Sequence, residues 1–326
     1  MPGHSLRIGL LGTELAPLSA SAGGLEKLVV GWGRELAKAH DVRLLSFVPA
    51  SDPFVATRTV TLDSLRREAT GLDVLVTNNR LQPAARLSLP TVTVLHNTSE
   101  AWDTTSPSRK NGSVLAAVSN FLAGHASQIL GLQVATVRPF IDPAFRPSTS
   151  ERRGKHLLFP NRTLRKKGVE NVLAALDIAD SATVSFVANI SPWSTPTAEH
   201  AELLAAIEAH PRARLIPRFQ QPAELAAAMR TARAVLAPSV AEEGFGLVLL
   251  EALATGTPAL ISSLGGLAEL LPLGAVEVHP QNPEMLAAAM IDPAPPPDET
   301  PEIIAANYSR SASAAALERL LQQALG

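Results

Sequence analysis

The chain contains no cysteine. Disulfides, thiolate nucleophiles and cysteine-bound zinc are excluded, and the absence says nothing about compartment. Charge of either sign is not in excess: 28 Lys+Arg stand against 30 Asp+Glu, for a formal net charge of −2. No global field therefore favours nucleic acid or an anionic membrane. Long apolar runs are missing too. The most weakly charged region, 247–276, is broken by glycines, prolines and glutamates and does not read as a membrane span. The opening MPGHSLRIGLLG enters a strand-like run too short and wrongly flanked for a signal peptide. These features predict a soluble, cytoplasmic protein with no stable membrane insertion. Several motifs are absent: no Walker A, no HExxH, no nucleophile elbow, no Asp-x-Asp pair for a divalent metal. The first strand and turn give IGLLGTE, not the dinucleotide G-x-G-x-x-G.

What is present is a well-buried globular composition, 46% hydrophobic and 18% charged over 326 residues, enough for two domains. Short apolar runs alternate with stretches of helical period. LRIGLLG, DVRLLSFV, DVLVTN and TVTVLHN read as strands, and GGLEKLVVGWGRELAKAH reads as a helix. The alternation predicts βαβ units on a parallel sheet. A proline-rich, aperiodic stretch follows, VATVRPFIDPAFRPSTSERRGKH, and the alternation then resumes. The expected domains are 1–140, a linker over 141–153, a second domain over 154–300, and a final helix over 301–326. Two α/β halves with a cleft between them should carry their chemistry on the loops after the strands.

Four loops attract attention. NRTLRKKG places Arg162, Arg165, Lys166 and Lys167 just before a helix starting near Gly168. Cations there oppose the helix dipole, which makes sense if an anion is shared between the side chains and the helix N–H groups. A solvated basic loop fits equally. SVAEEGFGLVLLEALATGTPALIS sets Glu243 in a Gly-Phe-Gly loop and Glu251 within a helix of otherwise apolar residues. Glu251 either accepts a vicinal diol such as a ribose, or reaches solvent or a basic partner at the helix edge. LSASAGGLEKL carries Gly23 and Gly24 before a helix, a close-approach turn or an ordinary helix entry. His96, at the end of a strand, is followed by Asn97 and Trp102 in the same rim loop.

Together these residues resemble family 4 of the glycosyltransferases, retaining enzymes of the GT-B fold, in which two Rossmann-like domains with parallel sheets face across a cleft. Pro238–Leu271 resembles the family's Glu-x7-Glu signature through Glu243 and Glu251. NRTLRKKG has its Arg-x4-Lys-Gly spacing through Arg162 and Lys167, and GGLEK resembles its glycine-rich loop. The likeness runs in order along nearly the whole chain, and it implies roles. Arg162 and Lys167 would hold the diphosphate of a sugar nucleotide, Glu251 the ribose hydroxyls, and Glu243 with the amides of Gly244, Phe245, Gly246 and Leu247 the sugar. Gly23, Gly24 and Phe219 would complete the donor site. His96 would line the sugar's other side and join Glu243, Arg162 and Lys167 in catalysis, with Asn97 and Trp102 towards an acceptor. No metal or cofactor is implied beyond the nucleotide sugar. Residues 1–147 hold 14 Lys+Arg against 11 Asp+Glu without a dense basic cluster, which favours a small soluble acceptor over a lipid. A monomer or weak homodimer is expected. A nucleotide-sugar epimerase and a non-catalytic sugar-nucleotide-binding subunit are the competing readings on this fold. A phosphorylase would need a lysine for pyridoxal phosphate, and none of the six lysines lies in an evident cofactor site.

Overall fold

The computed structural model describes residues 5–13, 16–18, 23–81, 87–102, 113–150, 153–188 and 197–326. The chain divides into two compact units, residues 1–140 with 310–326, and residues 141–309.

The first unit is built on a parallel sheet of seven strands: β1 (Arg7–Leu11), β2 (Asp41–Ser46), β3 (Ala56–Thr59), β4 (Val74–Asn78), β5 (Thr91–Leu95), β6 (Val114–Ala117) and β7 (Val134–Thr136), in the order β3-β2-β1-β4-β5-β6-β7. β4 and β5 are buried along their whole length. That is why they read as near-continuous apolar runs, as strands of a covered parallel sheet do. Of their polar positions, Thr77 and Thr93 satisfy each other across the ladder, hydroxyl to hydroxyl at 2.8 Å. β3 is a short, mostly exposed edge strand without apolar alternation. The helices Gly24–Leu36 and Arg310–Leu325 pack against each other, and the second also lies on β4, β5 and β6. Between them Trp32 is fully buried. Its indole N–H donates to Ser313 Oγ at 2.8 Å, and Ser313 Oγ donates to the carbonyl of Arg138 at 2.6 Å.

The second unit repeats the plan with β8 (His156–Phe159), β9 (Thr183–Val187), β10 (Ala213–Ile216), β11 (Val235–Ala237), β12 (Ala259–Ile261) and β13 (Val276–Glu277), all parallel, in the order β10-β9-β8-β11-β12-β13. Its core joins Phe159 and Phe186, whose rings lie 5.1 Å apart, to aliphatic residues of the helices Val169–Ile178, Ala198–Ala209 and Pro283–Ile291. In both sheets the strand order reverses at one place, between β1 and β4 and between β8 and β11. Loops leaving the two sides of such a reversal diverge and open a crevice at the carboxyl ends of the strands.

Two expected boundaries shift. The stretch 301–326 is not one helix but two, Thr300–Asn307 and Arg310–Leu325, separated at Tyr308. The first packs on the helix Leu247–Ala254 in the second unit, and only the second belongs to the first unit. The break is held by the Tyr308 carbonyl, which accepts the Ile141 N–H at 3.1 Å. The stretch expected as a linker also joins the second unit from Ile141 onward. Phe145 is buried, and Arg230 donates to the carbonyls of Ala144 and Arg146. Residues 151 and 152 lie outside the described residues.

Candidate functional site

The loop after β8 is tied to β11 and to the loop that follows it by one side-chain and one backbone hydrogen bond. Asn161 donates from Nδ2 to the Leu236 carbonyl at 2.8 Å, and the Val240 N–H donates to the Lys166 carbonyl at 3.0 Å. Arg165–Lys167 form one 3-10 turn, and Gly168 follows at φ +81°, a left-handed conformation that only glycine takes at little cost. A Cβ on Gly168 would also overlap the carbonyl oxygen of Pro238. The helix Val169–Ile178 then begins. The Lys-Gly pair is thus a spacing device: glycine lets the β8 loop sit directly on the end of β11, and Lys167 is the residue delivered there.

Lys167 meets Glu243. Its Nζ donates to Glu243 Oε1, and Ser239 Oγ donates to the same oxygen at 2.7 Å. The two charged side chains are only 14% and 19% exposed. Burial pushes the Lys167 ammonium below the usual lysine range; Glu243 opposes this, and the charges of Arg162 and Lys166 reinforce it. Arg162 is therefore brought near Lys167, and it is exposed. Arg165 is not part of this group. It pairs with Glu170 and, at 2.6 Å, with Glu202 on the surface. Glu243 is fixed from its backbone as well: its carbonyl accepts the Gly266 N–H at 2.8 Å, and Ser262 Oγ holds the carbonyl of Ser239.

Beyond Glu243 the chain turns through Gly244, Phe245 and Gly246. Gly246, at φ +95°, is the residue from which the helix Leu247–Ala254 starts. Phe245 is buried, its ring 5.8 Å from that of Tyr308, so its side chain serves packing while its backbone stays in the loop. Leu249, Leu250, Ala252, Leu253 and Ala254 are buried, whereas Leu247, Val248 and Glu251 are half-buried. These three positions share one stripe at i, i+3 and i+4 spacing. Glu251 thus lies on the open stripe of an otherwise buried helix, not within its core. Gly256 ends the helix at φ +76°. Phe219 is half-buried in the loop after β10, the edge strand two places from β8.

The first unit gathers its own cluster at the ends of β4 and β5. His96 is buried, its Nε2 2.7 Å from Asn78 Oδ1 and its backbone N–H donating to Asn79 Oδ1 at 2.7 Å. Asn79 stands at φ +57°, a left-handed position that asparagine tolerates, and donates to Asn97 Oδ1 at 2.8 Å. The Trp32 ring lies 5.9 Å from His96 at 44°. Burial pushes the imidazole pKa down to about 3. Trp102 is buried, its indole N–H donating to the Asn97 carbonyl at 2.7 Å and its ring edge-on to His125. Its ring is packed inward rather than presented as an open platform. At Gly23–Gly24 the Glu26 carboxylate folds back over the helix entry beside Gly23 and accepts from Thr13 Oγ1 at 2.9 Å. The chain thereby places an anion of its own at that helix end. Residues 19–22 of the same loop lie outside the described residues. Sequence reasoning missed Asn78, Asn79 and the link from Ser239 to Glu243; the Thr-Asn-Asn at the end of a buried strand was the available signal.

Among the described residues no helix is long and apolar enough to cross a membrane. A family model described as Family 4 Glycosyltransferase in conflict systems matches residues 110–324. D-inositol 3-phosphate glycosyltransferase 1 of Catenulispora acidiphila is 31% identical over 215 residues, covering 56% of this chain and 51% of that protein. An uncharacterized glycosyltransferase of Methanocaldococcus jannaschii is 45% identical over 60 residues, 18% of this chain and 15% of that protein. The chain thus spans about half or less of the length of these curated relatives. Among solved structures, sucrose-phosphate synthase from Thermosynechococcus elongatus superposes with a TM-score of 0.78 at 18% identity, covering 98% of each chain. Anabaena HepE in complex with UDP and glucose gives 0.77 at 16% identity, over 97% of this chain and 99% of that one. These two likenesses are of fold. The family match spans more than half of the chain and includes the Lys167–Glu243 site, and the protein belongs to the family 4 glycosyltransferases, with two doubly wound units of the GT-B fold.

Proposed function

We propose that the protein transfers a sugar from a nucleoside-diphosphate sugar to a hydroxyl of a small soluble acceptor, with retention of anomeric configuration and without a resident metal or cofactor. The observation that carries this reading is the buried Lys167 held against Glu243 and Ser239 at the strand-order reversal between β8 and β11. A desolvated ammonium with a guanidinium nearby suits a diphosphate, and it stabilises the negative charge that develops on the leaving group. Arg162 and Lys167 supply that charge. Glu243 orients sugar hydroxyls beside it. Glu251, on the open stripe of its helix, takes the ribose diol. The departing phosphate oxygen accepts the acceptor's proton on the face where the new bond forms, which gives retention. The UDP and glucose held by Anabaena HepE support the donor class. The inositol-phosphate glycosyltransferase relative supports a small polyol as acceptor.

The test is calorimetric titration of the pure protein with UDP, GDP, ADP, dTDP and their sugar conjugates, with no metal added. Micromolar binding of one nucleoside diphosphate, lost in Lys167→Ala and Arg162→Ala, is expected. Absence of binding to every member of the set overturns the donor assignment.

A further inference from the structure

We infer that Asn78 is a positioning residue that holds His96 as a neutral imidazole protonated on Nε2, leaving Nδ1 as a fixed acceptor for a ligand hydroxyl. The assignment starts from an atom whose role is beyond choice. The carbonyl oxygen of Leu11 can only accept, and Asn78 Nδ2 donates to it at 2.8 Å. The same amide must therefore turn its oxygen to His96 Nε2, 2.7 Å away. An amide oxygen cannot donate, so the proton of that bond resides on Nε2. The backbone is held in the same sense: the His96 N–H donates to Asn79 Oδ1, and Asn79 Nδ2 donates onward to Asn97. With Trp32 beside the ring, orientation and tautomer are both set. Among the described residues nothing donates to Nδ1, and desolvation alone, without a charged neighbour, accounts for the depressed basicity of the ring.

The chemical consequence is selective. A neutral imidazole with its lone pair on Nδ1 takes an O–H or N–H donor. It offers nothing to a phosphate, and it does not carry a proton through the reaction near neutral pH. His96 is then a residue that orients a ligand hydroxyl, and the turnover test below rests on the function proposed above.

Long-range proton–nitrogen correlation spectra of protein labelled with 15N-histidine test the tautomer directly, with His96→Gln identifying the signal among eight histidines. A protonated-type shift at Nε2 and an unprotonated-type shift at Nδ1, constant from pH 7.5 to 5, are expected. The reverse tautomer, or an imidazolium forming near pH 6, overturns the inference. Asn78→Asp keeps an acceptor but adds a charge, so the ring should begin to titrate within that range; Asn78→Leu should mix the tautomers. In turnover Asn78→Leu should lose up to about tenfold in kcat/KM, the worth of one hydrogen bond, while nucleoside-diphosphate affinity stays unchanged. An equal loss of nucleotide affinity would mark Asn78 as merely structural. The wild-type spectrum needs no substrate. If no nucleotide binds, the proposed function falls and the tautomer stands; if the tautomer is reversed, the inference falls and donor binding stands.

Discussion

Gly168 lies against the carbonyl of Pro238, closer than any side chain would allow, and this contact sets where Lys167 stands relative to Glu243. Gly168→Ala meets both a left-handed backbone and a rigid backbone oxygen. A cost of at least about 1–3 kcal/mol is expected from the backbone conformation alone. Urea unfolding reads the loss. Diphosphate affinity should fall beyond it, because the β8 loop must move off β11.

The buried pair itself makes a different forecast. Among the described residues, Lys167→Met alone leaves Glu243 with only the Ser239 hydroxyl, and stability should fall. The double variant Lys167→Met, Glu243→Gln removes both charges and should fold at least as stably as the parent, since apolar or neutral replacement of buried ion pairs is often neutral or stabilising. A double-mutant cycle in urea measures the coupling, and no coupling would remove the pair from the account. The sign for pH is fixed too. A lysine whose folded pKa is lowered makes the unfolded chain bind more protons, so stability should rise with pH between the folded value and the unfolded one of about 10.4. That rise should flatten in Lys167→Met.

His96 predicts an acid limb. Its folded pKa of about 3 lies below the unfolded value of about 6.5. Its contribution is therefore intact above about pH 6.5 and is lost progressively as pH falls towards 3. The slope is up to about 1.4 kcal/mol per pH unit for one proton. In His96→Gln the limb should be shallower by that amount, measured as unfolding free energy from pH 7 to 5.

Ser313→Ala strands the buried indole N–H of Trp32 and removes a donor from the Arg138 carbonyl. A loss of about 1–3 kcal/mol is expected, the usual cost of a buried group left unpaired. Ser313→Thr should recover most of it. A fully stable alanine variant would show that the bond contributes nothing.

Glu251→Ala should weaken binding of the nucleoside diphosphate, because Glu251 sits on the half-open stripe of its helix. The same variant should not change affinity for inorganic pyrophosphate. Unchanged nucleotide affinity would remove the ribose role.

The legible parts of the molecule were those where one local feature sets the geometry. Gly168 and Gly246 announce left-handed turns, and apolar runs announce covered strands, so both loops of the second unit could be read directly. Glu251 was harder, since a run of Leu and Ala does not say which stripe stays open. The edge strand β3 was missed because Ala-Thr-Arg-Thr has no face to bury. The break at Tyr308 has no proline or glycine to mark it; it depends on a bond from Ile141, far away in sequence. The Asn78–His96 pair depends on residues from two neighbouring strands, and periodicity does not report which side chains meet across a ladder.

The pairing of Trp32 with Ser313 also has a bearing on the order of events at the ribosome. The strands of the first unit emerge before any of the second, yet the helix Arg310–Leu325 that covers Trp32, β4, β5 and β6 is translated after all of residues 141–309. The second unit is contiguous and can reach its native core while still tethered. The first, with an apolar face uncovered until residues 310–325 are released, is the unit begun first and finished last, and the one a nascent-chain chaperone would have reason to hold.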